Sequence, residues 1–345
     1  MENQLTLGQV LRWGIEVLRR SGLPEPQGDV VYLLSFLLGT DGGGLYLRLP
    51  DPAAPEILKA FQRVIRLRRQ RWPASYITGW REFMGIRFKV DQRALIPRPE
   101  TELLVEAVLE LITSKASPLT PAAREEISQA NVLVQDRVAR TDPLAPDSGT
   151  GRGERWWAVA DVGTGSGAIA VALAHYCRHC FVLATDISQE ALDLAGENAR
   201  RTGVGERILF LAGDLLEPLF DAGWANKIDL LVSNPPYIDE TEMALLPPEI
   251  ARYEPALALD GGAHGLEFYR RLARGSRSLL KPGGGLALEI GSGQAEAVTS
   301  LLRTAGFEDL QVRKDYAGHD RVVLARMPLR KSLRGEGLAS SSDPS

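Results

Sequence analysis

The sequence predicts an α/β protein: a mostly parallel sheet with helices on both faces, preceded by a small helical bundle and joined to it by a β-hairpin. From Trp156 onward, short runs rich in Val, Ile and Leu alternate with helical patterns, the signature of such a sheet. Before residue 75 the apolar residues recur at helical spacing instead. Between the two, Trp80 to Val90 alternates apolar and polar residues on either side of Gly85.

The bundle spans residues 1–74. Leu11, Ile15 and Leu18 mark one helix, and Val30 to Leu34 with Phe36 to Leu38 mark a second. Pro24, Pro26 and Gly28 separate them, while Gly39 and the Asp41 to Gly44 run are expected to end the second. A third helix runs from Pro55 to Arg71, with Ile57, Phe61, Val64, Ile65 and Leu67 inward. Five arginines lie between Arg63 and Arg71, which read either as a solvated face near the helix C-terminus or as a partner surface. The hairpin linker covers 75–95, and the main domain covers 96–328. That domain opens on a helix after Leu95-Ile96-Pro97-Arg98-Pro99-Glu100-Thr101-Glu102, where Pro99 and the acidic residues suit a first turn. Residues 113–155 are rich in Ser, Thr, Pro, Ala and Gly and read as a flexible insertion, with room for a short helix near 121–138. Strands follow at Val159 to Val162, Phe181 to Thr185, Ile208 to Leu211, Asp229 to Ser233, Leu286 to Ile290 and Val322 to Ala325. Helices Ala168 to Ala174 and Glu190 to Arg201 fall between them, and 329–345 reads as a disordered tail.

Bulk properties exclude several classes. A net charge of −4 over 345 residues disfavours a protein that coats nucleic acid non-specifically. No run approaches the roughly 20 apolar residues that cross a bilayer, and no secretory signal opens the chain, so a cytoplasmic location is expected. Cys177 and Cys180, with His175 and His179 beside them, sit too close in sequence to wrap a metal tetrahedrally. They read as incidental reduced thiols, and no metal is expected.

Two motifs carry the chemistry. The first is Asp161-Val162-Gly163-Thr164-Gly165-Ser166-Gly167, a glycine turn between a strand and a helix. Its G-x-G-x-G spacing differs from the dinucleotide fingerprint and suits the methionine part of S-adenosylmethionine. Asp186, at the end of the next strand, can accept from both ribose hydroxyls or cap the following helix. Asp214 can accept from an adenine amino group while Leu215 packs on the ring. The second motif is Asn234-Pro235-Pro236-Tyr237, directly after the apolar run Leu230-Leu231-Val232. An amide nitrogen is a poor nucleophile because its lone pair is delocalised into the carbonyl. The Asn234 side-chain oxygen and the Pro235 carbonyl can accept from its two N–H groups, and Pro235 and Pro236 restrict the backbone that holds them. Tyr237 can stack on the planar group. The two motifs together point to methyl transfer from S-adenosylmethionine, giving S-adenosylhomocysteine, to a planar –NH2.

The chain resembles the peptide chain release factor N5-glutamine methyltransferases, a class I S-adenosylmethionine-dependent family. Besides the two motifs, the likeness rests on Ala74-Ser75-Tyr76-Ile77-Thr78-Gly79 with Glu82-Phe83, on Pro97 to Glu102, and on Tyr253-Glu254-Pro255-Ala256-Leu257-Ala258-Leu259 with Gly265-Leu266. Lys281-Pro282-Gly283-Gly284 and Asp315-Tyr316-Ala317-Gly318-His319-Asp320-Arg321 complete it. The resemblance implies a Rossmann-like seven-stranded methyltransferase domain behind the bundle, and methylation of the glutamine in the Gly-Gly-Gln loop of class 1 release factors. It implies that Gly163 to Gly167, Asp186, the position after Gly213-Asp214, and Asn234 contact the cofactor, and that Asn234 to Tyr237 hold the glutamine. Leu215 departs from relatives that carry an aromatic residue there. The same tetrapeptide also fits N6 of adenine or N4 of cytosine on a flipped base. The acidic net charge and the lack of a clear target-recognition domain disfavour a nucleic-acid substrate, and with no apolar run long enough to span a bilayer no membrane partner is expected.

Overall fold

The computed structural model describes residues 5–114 and 156–329. The 113–155 insertion, the helix near 121–138 and the tail lie outside these residues, but for their outermost positions. Among the described residues, five helices precede the hairpin: α1 Leu7–Arg20, α2 Pro26–Leu38, α3 Gly42–Leu47, α4 Pro55–Arg69 and α5 Ala74–Thr78. α1 starts on a capping box, in which Gln9 N donates to Thr6 Oγ1 at 3.3 Å and Thr6 N donates to Gln9 Oε1 at 2.8 Å. Leu18, Val30, Leu34, Leu45, Phe61 and Ile65 meet in the bundle core. The Asp41 to Gly44 run does not end α2. Gly39 does so in a left-handed conformation, and Asp41 instead caps α3 by accepting from Gly44 N at 2.6 Å.

The arginine run divides between a solvated face and a buried tie. Arg63, Arg66 and Arg69 are exposed, but Arg68 is buried. Its guanidinium donates to Asp29 Oδ2 at 2.8 Å and to Glu249 Oε1 at 3.2 Å, and Arg71 lies 3.5 Å from the same glutamate. Their partners lie far off in sequence, so the helical pattern alone could not distinguish an outward from an inward arginine.

The hairpin pairs β1 Trp80–Phe83 with β2 Ile86–Lys89 around Met84 and Gly85. α6 Glu100–Ser114 follows it. In the main domain come β3 Trp157–Val162, α7 Ala168–Tyr176, β4 Cys180–Asp186, α8 Gln189–Thr202, β5 Ile208–Ala212, α9 Glu217–Asp221 and β6 Ile228–Ser233. After α10 Glu240–Met243 and α11 Pro248–Ala251, the chain continues through α12 Glu267–Leu279, β7 Leu280–Glu289, α13 Ala295–Thr304, β8 Glu308–Lys314 and β9 Asp320–Arg326. The described residues form a seven-stranded sheet in the order β5-β4-β3-β6-β7-β9-β8. β3 to β7 run parallel, while β9 is antiparallel to both β7 and β8.

Every residue of β3 and β6 is buried, as expected for strands covered on both faces. One apolar layer joins α6, α7 and the hairpin to the sheet, and a second joins α9, α12 and α13 to its other face. β7 begins earlier than its apolar run, at Leu280 and through Lys281 to Gly284, and the buried Asp229 of β6 meets the partly buried Lys281 Nζ at 2.8 Å. β8 was not legible at all. It is an edge strand whose residues are largely exposed, so it lacks the apolar run that marked the others. The reading of Cys177 and Cys180 as free thiols is corrected: their Cα atoms lie 5.4 Å apart and the pair forms a disulfide. No described helix is long and apolar enough to cross a membrane.

Candidate active site

The strand order reverses between β3 and β6, and a parallel sheet opens a crevice at such a point. The register pairs Val162 with Ser233, so the glycine turn and Asn234 emerge side by side. Ser233 Oγ donates to the Val162 carbonyl at 2.7 Å, which fastens the two strand ends together.

Asp161 organises the glycine turn from below. Its Oδ2 accepts from Thr164 Oγ1 at 2.6 Å and from Ala170 N at 3.0 Å, tying the turn to the start of α7. Burial pushes its carboxyl up to about 7 against those two hydrogen bonds. Thr164 is thereby turned inward, and Ser166 is buried with its carbonyl accepting from Asn198 Nδ2 at 2.9 Å. What this turn offers outward is backbone. Gly163 and Gly165 hold φ of 75° and 56°; a Cβ on Gly163 would meet nothing within 4 Å, and one on Gly165 only the Ala94 Cβ at 4.0 Å. That open cradle fits the methionine end of S-adenosylmethionine. Gly167 is different, because a Cβ there would lie 2.9 Å from the Ala195 Cβ.

Asp186 stands beside the cradle. Its Oδ2 accepts from Gly165 N at 2.8 Å and its Oδ1 from Ser188 N at 2.9 Å, while burial raises its carboxyl above the usual range. It is not the helix cap, since Ser188 caps α8 by accepting from Ala191 N. Asp214 is half-exposed and pairs with Arg271. Leu215 has a left-handed φ of 49°, and its carbonyl accepts from Thr185 Oγ1 at 2.9 Å.

On the other side of the crevice, Asn234 Nδ2 donates to Thr101 Oγ1 at 3.1 Å, so the segment opening α6 reaches the tetrapeptide. Pro235 is buried, and Pro236 and Tyr237 are partly so. Burial pushes the Tyr237 hydroxyl up to about 12, keeping it neutral. Gln294 Nε2 donates to the Tyr237 carbonyl at 3.1 Å, and Ile238 bridges to Leu259 and Gly261. Gly261 has no room for a side chain there: a Cβ would sit 2.7 Å from the Tyr237 backbone.

Several residues at this site have roles that the sequence did not announce. Asn198 accepts from Lys89 N at 2.8 Å and donates to the Lys89 and Ser166 carbonyls, stitching the hairpin to the glycine turn. Glu254 is buried and accepts from Ile96 N at 3.1 Å and from Arg98 Nη2 at 2.6 Å. Glu289, which ends β7, is 1% exposed and carries an oxygen, Oε2, without a hydrogen-bond partner. The available signal for it was a carboxylate inside the apolar run Leu286-Ala287-Leu288-Glu289-Ile290. Among the described residues, no cluster of three His, Cys, Asp or Glu could hold a metal.

Known proteins resemble this chain over most of its length. A family model described as PrmC N-terminal domain matches residues 9–79, and one described as Methyltransferase small domain matches residues 153–249. A protein of Moorella thermoacetica named release factor glutamine methyltransferase is 41% identical over 93% of this chain and 98% of its own. The protein of that name from Geobacter sulfurreducens is 37% identical over 93% of this chain and 97% of its own. A solved structure described as the release-factor-specific protein-(glutamine-N5) methyltransferase of Alicyclobacillus acidocaldarius is 28% identical and covers 70% of this chain and 99% of its own. Its TM-score is 0.35, too low for that superposition to carry an argument.

Proposed function

This chain belongs to the release factor glutamine methyltransferase family, and on that premise we propose that it methylates the side-chain amide nitrogen, N5, of the glutamine in the Gly-Gly-Gln motif of class 1 peptide chain release factors. S-adenosylmethionine, when bound, supplies an electrophilic methyl group on a sulfonium. Gly163 to Gly167 and Asp186 hold it, with Asp214, Leu215 and Asn234 completing its contacts. The observation that carries this reading is the adjacency of the open glycine cradle and Asn234 at the reversal of strand order.

The residues then have distinct tasks. Asn234 Oδ1 and the Pro235 carbonyl accept from the two N–H groups of the glutamine amide. Charge drawn toward these acceptors favours a nitrogen with a more available lone pair. Pro235 and Pro236 keep the acceptors from moving, so little order is lost on binding. Tyr237 offers its ring face to the planar amide. The methylated nitrogen sheds its proton to water, so the reaction calls for no dedicated base. Residues 1–74 form the substrate-recognition bundle, 75–95 the linker and 96–328 the catalytic domain, in a cytoplasmic enzyme. The relatives reported above are named for release-factor glutamine, and nothing in those names favours an exocyclic amine of a base.

The deciding experiment supplies labelled S-adenosylmethionine, a purified release factor and nucleic acid together. Label on the Gly-Gly-Gln peptide is expected; label on nucleic acid alone rejects the proposal. Asn234→Ala is expected to keep most cofactor affinity while lowering kcat by about 100- to 1,000-fold, the usual effect of deleting one preorganised polar contact.

A further inference from the structure

We propose that Glu289 is a positioning residue for the amide methylation assigned above, on which its role rests: its carboxylate sets which end of the Asn234 amide faces the acceptor. Glu289 stands beside Asn234, because the register pairs Ser233 with Leu288 immediately before them. Its side chain is buried with Oε2 unpartnered, a destabilising arrangement that packing alone does not require.

The geometry gives that carboxylate a use. Asn234 Nδ2 donates to Thr101 Oγ1 at 3.1 Å. A hydroxyl both donates and accepts, so Thr101 alone would tolerate either orientation of the amide. A carboxylate only accepts. Thr101 and Asn234 both favour the charged form of the neighbouring Glu289, so a flipped amide would set Oδ1 against an anion. Nδ2 is therefore held inward and Oδ1 is left for an N–H of the substrate.

Glu100 and Thr101 face Glu289 from α6, Arg321 from β9, Tyr269 from α12, and Tyr237 from the loop after β6. Burial pushes the carboxyl up to about 7, against the opposing pull of Thr101, Arg321 and Asn234. Once protonated it can donate to Oδ1, and the preference for one amide orientation is lost. An amide donor then faces the donors of the substrate.

The test compares wild type with the isosteric Glu289→Gln. Wild-type kcat is expected to fall as pH drops through about 7. In Glu289→Gln that acid limb should vanish, with kcat lowered about 10- to 100-fold and with the release-factor KM and cofactor Kd within about threefold. Nuclear magnetic resonance supplies a readout independent of the acceptor. The Asn234 side-chain amide signal, assigned as the one lost in Asn234→Ala, should shift with pH near 7 in wild type and not in Glu289→Gln. A kcat within twofold of wild type, an acid limb that persists, or an amide signal indifferent to pH overturns the proposal. Absence of label on release factor with a titrating Asn234 signal would sink the substrate assignment, and with it the role in amide methylation, while leaving the orientation of the Asn234 amide by Glu289 in place.

Discussion

The three glycines of the cofactor turn share a left-handed φ but not an environment. At Gly167 an added methyl meets Ala195 at 2.9 Å from its Cβ and 3.1 Å from its Cα. Gly167→Ala therefore suffers both backbone strain and overlap between α7 and α8, and should lose about 2–4 kcal/mol of stability by urea denaturation. Gly163→Ala meets no neighbour, so its stability should drop by only about 1 kcal/mol. Its methyl projects into the cradle instead, and calorimetry should record at least a tenfold loss of S-adenosylmethionine affinity. Equal effects of the two substitutions on stability would contradict this distinction. These glycines and Asn234-Pro235-Pro236-Tyr237 were legible because each is a local word in the chain. Glu289, Asn198 and the contact of Thr101 with Asn234 were not, because their meaning lies in partners that only the folded sheet brings near; Thr101 and Asn234 are 133 residues apart.

Among the elements, α4 does more than its amphipathic pattern announces. Arg68 faces Asp29 of α2 and Glu249 of α11, joining the bundle to the segment that follows the tetrapeptide. Removing one member of a buried ionic group leaves charges uncompensated, so Arg68→Met should destabilise the protein by about 3–5 kcal/mol. The exposed Arg66→Met should change stability by less than about 0.5 kcal/mol. Parallel denaturation of the two variants checks the contrast. The buried strands β3, β4 and β6 could be read from apolar runs, and the hairpin from its alternation. Edge strand β8 and helix α3, whose sequence is Gly-Gly-Gly-Leu-Tyr-Leu, carry no comparable pattern. Tertiary pairing and a single Asp41 cap define them instead.

For the whole molecule, buried carboxyls set the dependence of stability on pH. Asp161 and Glu289 are both pushed up to about 7 by burial, from ordinary values of 3.8 and 4.5. Between those values and about 7 the folded state binds more protons than the unfolded chain, so stability falls as pH rises through that window. Glu197 acts in the opposite sense. Hydrogen bonds from Arg93 and Lys89 hold its carboxyl down to about 2, a stabilisation present above its ordinary 4.5 and lost as pH falls through about 2. Denaturation at pH 5, 6, 7 and 8 should reveal a decline of roughly 1–3 kcal/mol up to neutrality, shallower in Glu289→Gln. A rise across that interval would refute the account.

At this scale the order of elements was readable, whereas the ties across the molecule were not. Ile238 to Asp260 is the clearest case. That run bridges to Leu259 and Gly261 near its start, meets Arg68 through Glu249, holds Arg98 through Glu254, and packs Tyr253 against Trp72 with ring centroids 4.6 Å apart. Pinned at these points, it ties the bundle to the crevice like the bar of a caliper. If the bundle grips the release factor as proposed, the glutamine has to reach the crevice across the span this bar sets, so lengthening or shortening the stretch between those two points on the partner is expected to spoil the fit while leaving the tripeptide itself untouched.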